Sequence, residues 1–271
     1  MEPALQRRVQ RYGWDKAAAY YEGFWQKQLL PAQQKLLQFA NIKGGDKIID
    51  IASGTGLVSF PAAELAGNNG FVLGTDISDK MVELSNSFAK ERKLSNISFQ
   101  RMDAEELNAK DETYDIALCA LGLMYVTDYL KAIKEMCRVL KPGGSAVAAV
   151  WGKRNNCGWA DLFEIVDRRV TSEVCPMFFN LGNADMLQRY FTAGGFKNIA
   201  EERISNILFY SSDEEACGAV FLGGPVALAY NKFSDEVKKE VQLEYIDSIK
   251  QFKQADGYYV PGEFVVVVGY K

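Results

Sequence analysis

The stretch Lys47-Ile-Ile-Asp-Ile-Ala-Ser-Gly-Thr-Gly56 decides how the rest of the chain is read. Ile48, Ile49 and Ile51 are apolar and β-branched, the composition of a short strand buried on both faces. Gly54 and Gly56 follow at once. Without a Cβ they let the backbone turn sharply and a ligand approach closely. A helix is expected from about Leu57, so its free N–H groups and positive dipole end face whatever sits on the turn. Strand, glycine turn and helix in that order hold a nucleotide-like cofactor at the carboxyl ends of the strands in open α/β sheets.

Downstream the alternation repeats. Leu57–Ala66 reads as a helix with Pro61 in its first turns, where a missing N–H is best tolerated. Gly67-Asn-Asn-Gly70 is a turn, and Phe71–Thr75 a second strand with Asp76 at its end. Ser78 and Asp79 suit the start of a helix that carries Met81, Val82 and Leu84 inward. Its Lys90–Lys93 run reads as a solvated face. Ile97–Met102 alternates as a third strand, closed by Asp103-Ala104, and Tyr114–Cys119 is a fourth. Leu130, Ile133, Cys137 and Leu140 recur at helical spacing. Lys141-Pro-Gly-Gly144 stops that helix and opens a fifth strand, Ser145–Trp151. Five strands alternating with helices predict a doubly wound, mostly parallel α/β sheet.

The C-terminal part adds a helix at Ala184–Ala193, a sixth strand over 198–210, helices over 213–255 broken at Gly223-Gly-Pro225, and a last strand at Glu263–Tyr270. The sheet is then seven-stranded. The last strand is apolar on consecutive residues, which places it inside the sheet rather than at a bare edge. Upstream of the first strand, residues 1–38 read as helix, with Tyr20, Tyr21, Phe24 and Trp25 making it strongly aromatic.

Composition bounds the function. Apolar residues make up 48% of the 271, enough for a proper core, and the net charge is −4. With no long basic run, nucleic acid is not the expected partner. Cys119, Cys137, Cys157, Cys175 and Cys217 are scattered, which points to a reduced, cytoplasmic protein without disulfides or a zinc site. The first residues lack the apolar core of a signal peptide, and no apolar run approaches the ~20 residues of a membrane span. There is no histidine, so Ser–His and Cys–His catalysis and His-ligated metals are ruled out. A general base would have to be a carboxylate, Tyr, Lys, Cys or water.

Asp76, at the end of the second strand, is placed to accept hydrogen bonds from the ribose hydroxyls of a bound nucleoside. Asp103 ends the third strand at the same edge; alone it could equally cap the next helix. A dinucleotide site wants a third small residue in G-x-G-x-x-G/A, and here Ser59 stands in that place, which demotes NAD. An NAD-dependent oxidoreductase is therefore the alternative reading.

Five motifs in order carry a resemblance: Ile48–Gly56, Gly74-Thr-Asp-Ile-Ser78, Met102-Asp-Ala104, Tyr114-Asp-Ile116 and Arg138-Val-Leu-Lys-Pro-Gly-Gly144. Together they resemble the class I S-adenosylmethionine-dependent methyltransferases, and within them ubiquinone/menaquinone C-methyltransferase-like proteins. The resemblance implies a Rossmann-like methyltransferase fold as one domain: a helical lid at 1–43, a cofactor-binding core at 44–151, and C-terminal strands with substrate-lid insertions at 152–271. It implies that Ala52, Ser53, Gly54, Thr55 and Gly56 contact the methionine part of the cofactor, although the family usually has Gly where Ala52 stands. Asp76 would bind the ribose and Ile77 and Met81 would flank the adenine. Asp103 would accept from the adenine amine, with Ala104 beside it. Ala120 and Leu121 would lie along the methionine moiety, and Tyr21 and Trp25 would close over the site.

The chain departs from the quinone methylases after the fourth strand, with Met124-Tyr125 where they carry Arg-Asn. The resemblance therefore carries the cofactor over and not the quinone. No catalytic residue is assigned. Tyr125 is the polar side chain nearest the reaction centre in sequence and the candidate substrate contact. Trp159, Phe178, Phe179, Phe191, Phe221 and Tyr230 suggest an apolar or aromatic acceptor, with a cationic one over ring faces as the other option. The 213–255 insertion would serve as a lid or as a homodimer interface. A non-catalytic S-adenosylmethionine-binding protein is the remaining alternative to a small-molecule methyltransferase.

Overall fold

The computed structural model describes residues 2–171 and 174–271. The chain opens with one long helix, α1 (Pro3–Ala40), at 38 residues about 57 Å long. Pro31 lies inside it. Asn41 ends it in the left-handed region, its N–H bonded to the Leu37 carbonyl. The alternating unit follows: β1 (Lys47–Ile51), α2 (Ser59–Ala66), β2 (Phe71–Asp76), α3 (Asp79–Glu91), β3 (Ile97–Arg101), β4 (Tyr114–Ala120), α4 (Tyr129–Val139) and β5 (Leu140–Trp151). After it come α5 (Asp161–Asp167), α6 (Met186–Ala193), β6 (Lys197–Tyr210), α7 (Asp213–Cys217), α8 (Ala227–Tyr230), α9 (Asp235–Ile249), β7 (Lys253–Gln254) and β8 (Gly257–Tyr270).

The sheet runs β3-β2-β1-β4-β5-β8-β6, with the two-residue β7 paired on β8 as an eighth strand. The pairs among β1 to β5 are parallel, while β8 is antiparallel to β5, β6 and β7. This is the doubly wound, mostly parallel sheet that the sequence predicts. The Val-rich β8 is an internal strand as expected: Val265 to Val268 pair with β5 on one side and β6 on the other. It starts earlier than the sequence suggested, at Gly257, because it forms a hairpin with β7.

Two local expectations shift. Lys141–Gly144 does not simply precede the fifth strand. Leu140 already pairs with Tyr114 and Ser145 with Ile116, so the intervening residues bulge out of a continuous pairing, with Gly143 at φ 81°. On α4 the inward stripe is Tyr129, Ala132, Ile133, Met136 and Val139; of the expected Leu130, Ile133, Cys137 and Leu140, Ile133 and Leu140 are buried while Leu130 and Cys137 are only half-buried. The helix starts after Asp128, which caps Lys131 N, and its core-facing side includes the small Ala132 that a search for large apolar residues passes over.

The long edge strand β6 is covered where α1 crosses it. The Gln28 side-chain amide donates to the Phe209 carbonyl and accepts from the Phe209 N–H at 3.1 Å, and Asn206 donates to the Gln28 carbonyl at 3.1 Å. One helical glutamine thus satisfies edge groups that would otherwise be free to pair with another chain. No helix among the described residues is long and apolar enough to cross a membrane.

Candidate active site

The glycine turn takes its shape from its backbone. Ala52 leaves β1 in the left-handed region at φ 56°, Gly54 follows at φ 56° and Gly56 at φ 94°. Each has a different neighbour. A Cβ on Gly56 would stand 2.7 Å from the Phe60 ring and 3.0 Å from Phe99, so this glycine packs against the core. A Cβ on Gly54 would stand 3.7 Å from Tyr21 Cε1, which places the Tyr21 ring over the turn. Leu121, just past β4, is also left-handed at φ 60°. Gly122 beside it lets the two loops meet: a Cβ there would lie 2.4 Å from that of Ala52. Ala52 and Leu121, two strained non-glycine residues on neighbouring strand ends, both line one cavity.

Tyr21, Trp25, Ala52, Gly54, Asp76, Ile77, Met81, Asp103, Ala104, Ala120, Leu121 and Tyr125 are brought together around that cavity. Ser53, Thr55 and Gly56 are not in its lining. Ser53 donates its N–H to the Thr75 carbonyl at 2.9 Å and faces β2, while Gly56 faces Phe60 and Phe99. Successive residues of a tight turn point to different sides, and the motif alone does not say which side holds the cavity. Of the six aromatic residues singled out for the acceptor wall, Trp159 and Phe178 line it. Phe191, Phe221 and Tyr230 are buried in the core, and Phe179 packs on Trp159, Phe163 and Phe178 without lining the cavity.

Asp76 is buried, and both of its oxygens are engaged. One accepts from Gly54 N and the other from Ser78 N, each at 2.9 Å. A carboxylate offers about four lone-pair positions, so with the Ile77 N–H also turned toward it Asp76 keeps room for a further donor. Burial pushes its pKa up to about 6, opposed by those backbone bonds. Asp50, inside β1, is pushed up to about 7 by burial, opposed by the Ser59 hydroxyl and reinforced by Asp76. Burial likewise raises Tyr125 well above its ordinary value, and Cys119 to about 12, so neither supplies a ready base at neutral pH.

Several lining residues were not singled out from the sequence. Arg7, from the first turns of α1, lines the cavity and pairs with Asp103 at 2.9 Å and with Glu105. Glu105 is buried and also accepts from the Thr127 N–H and hydroxyl, each at 2.6 Å. Asp103 therefore joins a network as well as the cavity. Its other oxygen accepts from Glu105 N at 2.9 Å. Trp14 stands edge-on to Tyr21 at 5.8 Å and to Tyr125 at 5.1 Å. Leu29, Met102, Gly122, Met124, Val126, Trp151, Leu162, Gly224 and Pro225 complete the apolar lining, and Gln10 adds an amide. The Arg7 pairs and the Trp14–Tyr125 contact span about a hundred residues of chain, and no local pattern marks them.

The site and sheet together define an α/β protein that holds a nucleoside-type ligand at the carboxyl edge of β1, β2 and β3. A model of the ubiE/COQ5 methyltransferase family matches residues 24–190, and the chain belongs to that family. It is 31% identical over 142 residues to a ubiquinone/menaquinone biosynthesis C-methyltransferase of Bdellovibrio bacteriovorus, covering 52% of this chain and 60% of that one. It is 37% identical over 115 residues to a demethylmenaquinone methyltransferase of Bacillus velezensis, covering 42% and 49%. The chain thus spans about half to three fifths of these relatives' lengths. Among solved structures, a phosphoethanolamine N-methyltransferase of Haemonchus contortus with bound S-adenosylhomocysteine superposes with TM-score 0.62 at 19% identity. That superposition covers 95% of this chain and 57% of that one, a likeness of fold. The oxidoreductase alternative gains no support from these matches.

The lining fits S-adenosylmethionine. Asp76 keeps acceptor capacity that a ribose hydroxyl would use, and Ile77, Met81 and Met102 are apolar lining residues that would suit adenine.

Proposed function

We propose that the protein transfers a methyl group from S-adenosylmethionine to a small, apolar or aromatic acceptor. The observation that carries the reading is the continuity of one cavity. It joins Gly54, Asp76 and Asp103 at the β1–β3 edge to a wall of Trp151, Trp159, Leu162 and Phe178 beyond β5. When bound, the cofactor supplies an electrophilic methyl on a sulfonium. The chain's residues orient and enclose. Asp76 fixes the ribose, the Ala52–Gly54 turn seats the amino-acid end, and Tyr21, Trp14 and Tyr125 supply rings whose faces suit a cation. The Trp-rich wall excludes water and holds the acceptor in line, an orientation effect worth up to ~7–11 kcal/mol in good cases. With Tyr125 and Cys119 held protonated and no histidine, an acceptor that needs no strong base suits this site.

The relatives' names point to quinone rings as one acceptor of this class. In this chain Met124 and Tyr125 make the adjoining wall apolar, which favours a different ring. Calorimetric titration with S-adenosylmethionine and S-adenosylhomocysteine tests the cofactor. We expect micromolar binding that weakens at least about tenfold (~1.4 kcal/mol) in Asp76→Ala. No binding to the wild type sinks the reading, and NAD would be titrated next. Formation of S-adenosylhomocysteine with a panel of aromatic acceptors then separates an enzyme from a non-catalytic binder.

A further inference from the structure

The first half of α1 is built inside out. Toward the body of the protein it buries Gln6, Gln10, Gly13, Ala17 and Ala18. Outward, Leu5, Tyr12 and Tyr20 stand 43%, 48% and 46% exposed, and Leu30 continues their line at 47%. A helix turns about 100° per residue, so these four side chains fall on one side of it, with Arg8, Lys16 and Lys27 among them. From Leu5 to Leu30 the stripe is about 38 Å long. Apolar residues exposed singly need no explanation, but an aligned row of them on one helix does.

The charges of α1 are sorted in the same way. Arg7, Arg11 and Lys35 pair with Asp103, Asp79 and Glu202, which ties three of its cations to the protein itself. Arg8, Lys16 and Lys27 are exposed and have no ion pair among the described residues. The helix has two carboxylates, and neither joins the stripe. Asp15 accepts from Ser78 Oγ at 2.6 Å and Lys80 N at 3.1 Å, and Glu22 is half-buried with one oxygen closed to solvent. A chain of net charge −4 thus presents a line of cations, rings and leucines without an acid. Arg7, Gln10, Trp14, Tyr21 and Trp25, which line the cavity, fall on the opposite side of the helix, so a surface laid on the stripe leaves the cavity free. The family match begins at residue 24, and Leu5 to Tyr20 lie outside it.

We propose that this face of α1 docks on an anionic lipid surface, with the helix lying flat at the headgroups. Tyrosine suits that layer, with an apolar ring and a wet hydroxyl, and leucine reaches just below it. Lys and Arg lay their stems along the apolar surface and carry their charge to the lipid phosphates. Charge selects this occupant over the others. A second copy on the same stripe would set cations against cations, and nucleic acid would use the cations but leave Leu5 and Leu30 without a partner. The contact is peripheral, since no helix among the described residues is long and apolar enough to span a membrane. It goes beyond the methyl-transfer reading and does not depend on it.

The test is co-sedimentation of the full chain with sucrose-loaded vesicles of phosphatidylcholine, alone or with about a third phosphatidylglycerol, at about 0.1 M salt. We expect partition onto the anionic vesicles that falls as salt is raised, and at least about tenfold weaker partition onto phosphatidylcholine alone. Arg8→Gln/Lys16→Gln/Lys27→Gln should weaken binding to the anionic vesicles at least about tenfold, at roughly fivefold per cation near the surface. Tyr12→Ser/Tyr20→Ser should weaken it at least about tenfold as well, through lost apolar contact. Helix content and the urea midpoint should stay at wild-type values in both. No binding of anionic vesicles by the wild type, equal binding of the two vesicle types, or binding that survives in either variant overturns the proposal. So does a wild-type dimer in light scattering that Tyr12→Ser/Tyr20→Ser breaks apart, or binding of a DNA duplex that exceeds binding of the anionic vesicles. If the variants do not fold, amide exchange in the wild type decides. Anionic vesicles should slow exchange in residues 5–30 at least about threefold and phosphatidylcholine should not; unchanged exchange overturns the assignment.

Discussion

Asp76 and Asp50 sit one strand apart, and burial raises both, to about 6 and about 7. The sign of the consequence is definite. Each has a folded pKa above its ordinary 3.8, so its contribution to stability is fully present below about 4 and is lost as pH rises through 6 to 7. Ribose recognition has the opposite dependence, because hydroxyl donors need the ionised Asp76. We expect the dissociation constant for S-adenosylhomocysteine to rise as pH falls below about 6, without a matching loss of fold from these two groups. Calorimetry from pH 5 to 8 checks this, and Asp76→Asn should bind weakly with a flatter profile. The turn beside them offers a second, signed contrast. Ala52 is left-handed at φ 56°, so Ala52→Gly should stabilise by up to ~1 kcal/mol by relieving strain. Gly56→Ala combines φ 94° with a Cβ 2.7 Å from Phe60 and should cost about 2–4 kcal/mol in urea unfolding. Equal effects would mean that the turn is softer than its dihedrals imply. These residues were legible because turn, strand end and acid lie within 30 positions and each follows a local rule. The side of the turn that meets the cavity was not legible, since it depends on Tyr21, Phe60 and Phe99 packing from three other elements.

The two halves of α1 do different work. From Trp25 onward it buries Trp25, Leu29, Ala32, Leu36 and Ala40 in the core; up to Ala18 it buries Gln6, Gln10, Gly13, Ala17 and Ala18, a set too polar and small for a core face. That first half lies over the cavity and is tied to the sheet by charges. Arg7 pairs with Asp103 and Glu105, Arg11 pairs with Asp79, and Asp15 accepts from Ser78 Oγ at 2.6 Å and from Lys80 N at 3.1 Å. Partly exposed pairs contribute little to global stability, but they hold a helix with few apolar contacts in place. Arg11→Gln, which breaks a pair partly exposed on both sides, should therefore leave the urea midpoint nearly unchanged and raise amide exchange in residues 4–14 at least about threefold. Exchange that stays at wild-type rates would show that packing alone seats the helix. The expectation of an aromatic helix here was sound because Tyr21 and Trp25 are where the periodicity places them. The tethers were invisible because Arg7, one of three arginines between positions 7 and 11, carries no local signature of its partners at 103 and 105.

The cavity is walled by residues from α1, from the ends of β1 to β5, and from segments on either side of β6, including Trp159 and Pro225. The family match ends at residue 190, yet β8 inserts its valines between β5 and β6, and Gly224-Pro225 lies beyond the matched region. A ligand that touches the end of α1, the β1–β3 edge and this later segment links the three parts of the chain. We infer that they unfold as one unit and that cofactor binding stabilises all of it. At a free concentration a hundred times its dissociation constant, S-adenosylhomocysteine should add about 2.7 kcal/mol. For a chain of this size that corresponds to a Tm rise of roughly 5–10 °C. The rise should appear as a single calorimetric transition, and NAD at the same concentration should give none. Two transitions, with only the earlier or the later one moving, would show that the region after residue 190 folds apart from the ligand site. An NAD shift as large as that of S-adenosylhomocysteine would return the glycine turn to the dinucleotide reading. A single displaced transition is what the placement of Pro225 and Arg7 around one cavity requires.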